Sequence, residues 1–355
     1  MIRLVRSFAW SALFAPALLA QDPAPATPPA PTAPATKVAA KKQETPVYDE
    51  KADARQQVAQ ALAKAKKENQ RVLIQWGANW CGWCKWLAAT MKSDRGVSHE
   101  LLYEYQVVHV DVGRFDKHMD LAKELGAEFK AIPFLTLLDA DGKPLAQQNT
   151  EPFETKVDGK DGHDAKKLLE FLKQHEAKPM VAADVLAAGI AQAKQSGKRV
   201  FLHFGAPWCG WCHRLENWMA KPEVAALLGK DFVDVKIDND RMTGAKDIYE
   251  AQLKAAGQKE GGIPWFVLLD ADGKLLAHST GPKGNTGFPY QPAEVEHFGM
   301  MLKAAQKNLS DAEIATLVQM LHSNRIEDEA KRKQKAGTAP AGAMPATPLT
   351  PTGGQ

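Results

Sequence analysis

Cysteine is scarce in this chain, and none of it is free to act as a staple. Only four of the 355 residues are cysteine, and they fall in two Cys-x-x-Cys pairs, Cys81/Cys84 and Cys209/Cys212. No sulfur remains to tie distant segments together, so the cores must hold by burial alone. Charge of one sign is lacking too. The formal net charge is +3, too small to argue for a nucleic-acid track or a charged membrane surface. No glycine-rich phosphate loop occurs. His99, His109, His118 and His163 show no metal-ligand spacing and read as surface or partly buried residues. The apolar run over residues 8–20 falls short of the ~20 residues of a membrane span. No transmembrane bundle is present to carry electrons.

What the first residues do contain reads as an export signal. Arg3 and Arg6 precede the apolar run, and cleavage could follow Ala17 or Ala20. An uncleaved anchor is the alternative. In either case the folded part is expected outside the cytosol, periplasmic or secreted, where disulfides persist. Residues 21–46 are rich in Pro and Ala and read as an extended tether.

The rest of the chain repeats itself. A helical pattern (Ala54, Val58, Leu62, Ala65) precedes an apolar strand over 71–76, then Trp80-Cys81-Gly82-Trp83-Cys84 and a helix through about Met91. A strand over 106–112, a helix over 120–129, Ile132-Pro133, a strand over 134–138, an Asp-Gly hairpin and a helix over 164–175 follow. The same order returns with Leu186, Ile190 and Ala193, a strand over 199–204, Trp208-Cys209-Gly210-Trp211-Cys212, a strand over 232–238, a helix over 248–256, Ile263-Pro264, a strand over 265–269, a second Asp-Gly hairpin and a helix over 293–309. This predicts a duplicated domain, 47–178 and 179–325. The second copy carries an extra helix, opened by a capping box at Ser310 and running to about His322. Residues 326–355 read as a disordered tail.

The chemistry lies in the cysteine pairs. A strand, a turn and a helix place the first sulfur where unpaired N–H groups point outward, which favours thiolate over thiol. The second cysteine is one turn in, close enough to close a disulfide. Two other uses fit the residues alone. Cys209-Gly210-Trp211-Cys212-His213 matches the c-type haem pattern, which would make the second half a non-catalytic binding module, although Lys85 stands where the first copy would need histidine. Four thiolates could also hold structural zinc if the two pairs met face to face.

Trp-Cys-Gly-x-Cys after an apolar strand, with Ile-Pro before another strand further on, resembles the thioredoxin family over nearly the whole of each copy. The resemblance implies an α/β fold of two tandem thioredoxin-like domains, each a mixed central sheet flanked by helices. It implies a protein thiol–disulfide oxidoreductase with no cofactor and no metal. Cys81 and Cys209 would attack, and Cys84 and Cys212 would resolve the mixed disulfide. Pro133 and Pro264 would match the family's cis-proline, with Trp80, Trp208, Ile132 and Ile263 bordering the substrate groove. The implied partners are protein thiols or disulfides and a separate electron donor or acceptor, with no nucleic acid and no membrane span after signal cleavage.

Two departures stand out. The family's buried Asp is replaced by Gln75 in the first copy and His203 in the second, and its partner Lys by Val107 and Asp234. The first copy thus lacks an internal base. In the second, a His203–Asp234 pair could take the proton from Cys212. The dipeptide between the cysteines is Gly-Trp, not the family's Gly-Pro, which leaves the direction of electron flow open.

Overall fold

The computed structural model describes residues 45–337, with side chains through Lys331. The export signal, nearly all of the Pro/Ala tether and the end of the tail lie outside the described residues. In the first half, Asp53 caps α1 (Ala54–Glu68) by accepting from the N–H groups of Arg55 and Gln56. There follow β1 (Arg71–Gly77), α2 (Gly82–Ser93), α3 (Arg95–Glu104), β2 (Tyr105–Asp111), α4 (Met119–Glu124), β3 (Phe134–Leu138), β4 (Pro144–Asn149), a hairpin of β5 (Glu154–Val157) and β6 (Lys160–His163), and α5 (Ala165–Lys173). The sheet order is β2-β1-β3-β4. β1 runs parallel to β2 and antiparallel to β3, so the sheet is mixed. β1 and β3 are buried almost throughout, which explains their continuous apolar runs. One face packs on α1 through Ala54, Val58 and Ala65, and the other on α2, α3 and α5 through Leu87, Val97 and Leu168.

The second half repeats this plan. It comprises α6 (Ala182–Ser196), β7 (Arg199–Gly205), α7 (Gly210–Met219), α8 (Pro222–Asp231), β8 (Phe232–Asp238), α9 (Ala245–Ala255), β9 (Trp265–Leu269), β10 (Leu275–His278), the short β11 (Thr280–Gly281) and β12 (Gly284–Asn285), α10 (Pro292–Ala304) and α11 (Asp311–Gly337). The sheet β10-β9-β7-β8 matches the first strand for strand. At both Asp-Gly hairpins the glycine takes positive φ, +87° at Gly142 and +82° at Gly273, as the reversal requires.

Several elements differ from expectation. The helix after the first cysteine pair ends at Ser93, near the expected Met91, but an unexpected helix, α3, follows it before β2, as α8 follows α7 in the second half. Asp94 ends α2 and at once caps α3, accepting from the Val97 N–H; Pro222 opens α8. α4 stops at Glu124 rather than reaching Phe129, because Gly126 turns the chain with φ +73°. The tail expected from Ile326 is corrected in part, since α11 continues to Gly337. Arg325 pairs with Glu329 one turn on, and Arg214 of α7 pairs with Asp328, so the charged segment has partners that hold it helical. Further back, Ile314, Leu317 and Leu321 of α11 enter the core formed with α7, α8 and α10.

The two halves touch through charged groups. Arg241 makes a bidentate pair with Glu104 and donates to the backbone carbonyls of Glu68 and Asn69 at the end of α1. Tyr103 donates to Asp240 at 2.8 Å.

One close approach sets a limit on sequence. A methyl on Gly189 of α6 would stand 2.2 Å from Cγ2 of the buried Val235. Alanine is the better helix former by ~1 kcal/mol, but overpacking of this kind costs ~1–3 kcal/mol. Gly189→Ala is therefore expected to lower stability by up to ~2 kcal/mol, read as a reduced urea midpoint with an unchanged slope.

Candidate active site

Each cysteine pair sits where a parallel strand ends and a helix begins. Cys81 caps α2 with its sulfur, which accepts the Cys84 N–H at 3.1 Å, and Cys209 caps α7 in the same way through Cys212 at 3.1 Å. Both pairs are disulfides, with Cα–Cα distances of 5.3 and 5.2 Å. Each sulfur therefore already has a covalent partner within its own motif, and the four do not meet in one cage. His213 of the Cys-x-x-Cys-His pattern has Nε2 2.7 Å from the Pro207 carbonyl. Among the described residues no group of three or more potential ligands converges.

The Ile132–Pro133 and Ile263–Pro264 bonds are both cis. The carbonyl oxygen of Ile132 lies 3.6 Å from Cys81 Sγ. Ile263 packs on Cys209 and Cys212. The proline carbonyls are already used, accepting from Thr150 Oγ1 at 2.8 Å and Asn285 Nδ2 at 2.9 Å, while Ile132 through its carbonyl and Ile263 through its packing border the disulfides. Trp80 and Trp208 are about half exposed at the lips (51% and 59%). Their indole N–H groups are anchored differently, on the Gly113 carbonyl at 2.7 Å and on Asp240 at 2.8 Å. The second lip is thereby linked through Asp240 to Tyr103 of the first half.

The undersides of the two sites diverge. Gln75 is fully buried and donates to the Cys84 carbonyl at 3.0 Å. Val107 is half-buried beside the core that carries Leu73 and Leu87. In the second half His203 Nε2 is 3.0 Å from Asp234 Oδ1. His203 shares a strand face with Gly205, where a methyl would meet Cys212 and, at 3.8 Å, Glu216 Oε1. Burial works to raise the Asp234 pKa, but His203, Lys67 and Lys236 offset it and hold the carboxyl below its ordinary value.

The sequence reading missed Glu216 and Lys236. Glu216 follows Cys212 by one helical turn and pairs with Lys236 at 2.8 Å; Lys236 also pairs with Glu68 of the first half at 2.6 Å. Burial disfavours the Lys236 charge, yet the two carboxylates raise its pKa above the ordinary value. The only available signals were the i,i+4 spacing from Cys212 and the same-face spacing of Lys236 from Asp234.

The groove walls are also unlike each other. Beside the second disulfide a cavity of about 300 Å³ is lined by Trp211, Ile263, Pro264, Phe288 and Tyr290. The Arg214 guanidinium lies over the Trp211 ring, 4.8 Å from its centroid. Beside the first, the β5–β6 hairpin folds onto α2 and sets His163 edge-on against Trp83, with centroids 5.6 Å apart. His163, read from sequence as surface or partly buried, is 1% exposed, and neither ring nitrogen has a partner among the described residues. Burial lowers its pKa to about 4.

Comparison with known proteins agrees with this geometry. A family model described as thioredoxin-like matches residues 53–140. A second, Thioredox_DsbH, described as a protein of unknown function (DUF255), matches residues 163–320. Protein disulfide-isomerase erp38 of Neurospora crassa is 29% identical over 194 residues, which cover 52% of this chain and 48% of that protein. Protein disulfide-isomerase tigA of Aspergillus niger is 26% identical over 242 residues, covering 65% and 57%. The chain thus spans roughly half the length of these curated relatives. Among solved structures, a disulphide isomerase from Xylella fastidiosa Temecula1 aligns at 28% identity over 37% of this chain and 96% of its own, with a TM-score of 0.30.

A buried neutral histidine leaves a pH signature. Unfolded His163 titrates near ~6.5 and the folded one near about 4. Between those values the unfolded chain binds more protons, so this contribution to stability is lost as pH falls from about 6.5 towards about 4. His163→Phe is expected to lose less stability than the parent between pH 7 and pH 5, read by urea unfolding at both. Equal losses would remove His163 as the cause.

Proposed function

We propose, from the premise that this chain is built of thioredoxin-like domains, that it is an enzyme exchanging disulfides with protein substrates through two dithiol sites. The observation that carries the reading is the placement, twice, of a disulfide at a helix mouth against a cis Ile–Pro bond. In the reducing direction the Cys81 or Cys209 thiolate attacks one sulfur of a substrate disulfide. A mixed disulfide forms, and the other substrate sulfur leaves as thiolate and takes a proton. Cys84 or Cys212 then gives up its proton and attacks the enzyme sulfur of the mixed disulfide. The second substrate thiol is released, and the site returns to the disulfide form. A separate dithiol donor must reopen it. Run backwards, the same steps oxidise a substrate dithiol. The Ile132 and Ile263 backbones, bordered by Trp80 and Trp208, offer an extended substrate segment a place to pair.

In the second domain His203, held by Asp234, accepts the Cys212 proton as that thiol attacks. Its burial beneath α7, on the strand face that Gly205 shares, supports this role. The first domain has Gln75 there and no equivalent base.

The charged start and apolar run ahead of a Pro/Ala tether support work outside the cytosol. Recovery from the extracytosolic fraction of a chain beginning after Ala17 or Ala20 is the expected outcome; a chain confined to the cytosol would refute it.

One assay tests the chemistry. With a dithiol donor, the full chain is expected to reduce a disulfide-linked protein substrate, and Cys81→Ser with Cys209→Ser together to abolish turnover. In the chain retaining only the second pair, His203→Gln is expected to slow resolution ~100-fold, a usual size for proton transfer by a positioned group. Turnover that survives loss of both cysteines would sink the proposal; an unchanged His203→Gln rate would sink the base alone.

A further inference from the structure

Behind the first disulfide lies a side chain that no motif announces. Tyr48 belongs to the arm over residues 46–53, ahead of α1, and is fully buried. Asn79, just before Trp80, grips the arm by its backbone: the Tyr48 N–H donates to Asn79 Oδ1 at 3.1 Å, and Asn79 Nδ2 donates to the Tyr48 carbonyl at 2.9 Å. Lys117 donates to the Glu50 carbonyl while paired with Asp111. Held in this way, the Tyr48 ring stands edge-on to His109, with centroids 5.7 Å apart, and packs in one cluster with Cys81 and Cys84.

A methyl on Gly77 would stand 2.1 Å from the Tyr48 hydroxyl oxygen and 3.0 Å from Cys84 Sγ. That oxygen and that sulfur therefore border one small space. With the disulfide closed, the Gln75 side chain approaches the hydroxyl closely enough to lower its pKa a little, but no group among the described residues accepts its proton in good hydrogen-bond geometry. A buried donor is seldom left so, and sulfur in a disulfide is at best a weak acceptor. A thiolate is a far better one, because hydrogen bonds to charged groups are the strong ones.

We infer that Tyr48 is the hydrogen-bond donor to the Cys84 thiolate when the first disulfide opens. The inference rests on the oxidoreductase reading above. An incoming thiolate attacks Cys81 sulfur, a new S–S bond forms there, and the electron pair of the old bond leaves on Cys84. The phenol O–H points to that charge and keeps its proton. Burial, then the Asp111 charge, raise the phenol pKa far above the ordinary value, against a smaller opposing effect of the Gln75 amide. Tyr48 is thus a donor and not a base. His109, whose pKa burial lowers, adds no competing positive charge. The effect is confined to the first site. Before α6 the chain instead bridges Val181 to Thr243, and Glu216 stands close to Cys212.

The test uses the full chain with Cys209 and Cys212 replaced by serine, equilibrated against a glutathione buffer. Tyr48→Phe keeps the ring and removes the hydroxyl. It is expected to shift the first pair about tenfold towards disulfide, equivalent to ~30 mV. In the chain retaining only the second pair, the same substitution is expected to leave the equilibrium unchanged. On the parent, the infrared difference spectrum of reduction is expected to show a shifted tyrosine C–O band. An unchanged first-pair equilibrium in a folded Tyr48→Phe overturns the inference. So does an unshifted tyrosine band in the parent, whether or not the variant folds. A parent first pair that does not exchange with glutathione at all overturns both this inference and the reading beneath it.

Discussion

At each helix mouth a sulfur fills the place that a serine or aspartate oxygen usually takes. Cys81 and Cys209 each accept the N–H of the third residue on, so the cap of the helix is also the sulfur proposed to attack. Whatever else the site needs must come close to that cap without covering it. The strand end beneath is therefore bare. At Gly77 a methyl would collide with the Tyr48 hydroxyl and crowd Cys84, and at Gly205 one would stand 3.2 Å from Cys212 Cβ. The isoleucine preceding each cis-proline closes the other side.

On this common frame the two sites differ in what lies under the second cysteine of each pair. Beneath Cys84 the nearest groups carry no carboxylate or ammonium: a carboxamide, a phenol and a half-buried imidazole, with Asp111 acting on the phenol from further off. Around Cys212 there is a chain of charge, with Glu216 on Lys236, Lys236 on Glu68, and His203 on Asp234. A neutral pocket disfavours a buried thiolate unless a donor meets it, whereas a charged one lets proton position change with little structural movement. Glu68 belongs to the first half of the chain, so the second site's electrostatics are completed from outside its own sheet.

Much of this was legible in sequence. The repeated strand, Trp-Cys-Gly-Trp-Cys and Ile-Pro carry the fold because each element has a local cause: an apolar run for a doubly covered strand, a cap for a helix, Asp-Gly for a hairpin. His203 and Asp234 could be paired because they stand where the resembled family has its Asp and Lys; the parallel register itself sets His203 opposite Lys236, which that comparison did not point to. Tyr48 could not. Its contact with the Cys84 region is made by an arm that crosses the sheet end, and nothing periodic links positions 48 and 84. His163 was misjudged for a similar reason. Residues 154–163 are polar, and only the folding of that hairpin onto Trp83 buries the ring. α3 was not anticipated, because its start turns on Asp94, a single residue that both ends α2 and caps the next helix.

The long helix α11 has a consequence for how the second half is made. Ile314, Leu317 and Leu321 belong to the same core as Leu215, Phe266 and Phe298. The first half closes its sheet with α5, ending at Lys173, so it can complete itself while the rest is still being synthesised, as domains commonly do. The second half has no such liberty. One wall of its interior arrives only with α11, and until that helix is made the core around Leu215, Phe266 and Phe298 stays open.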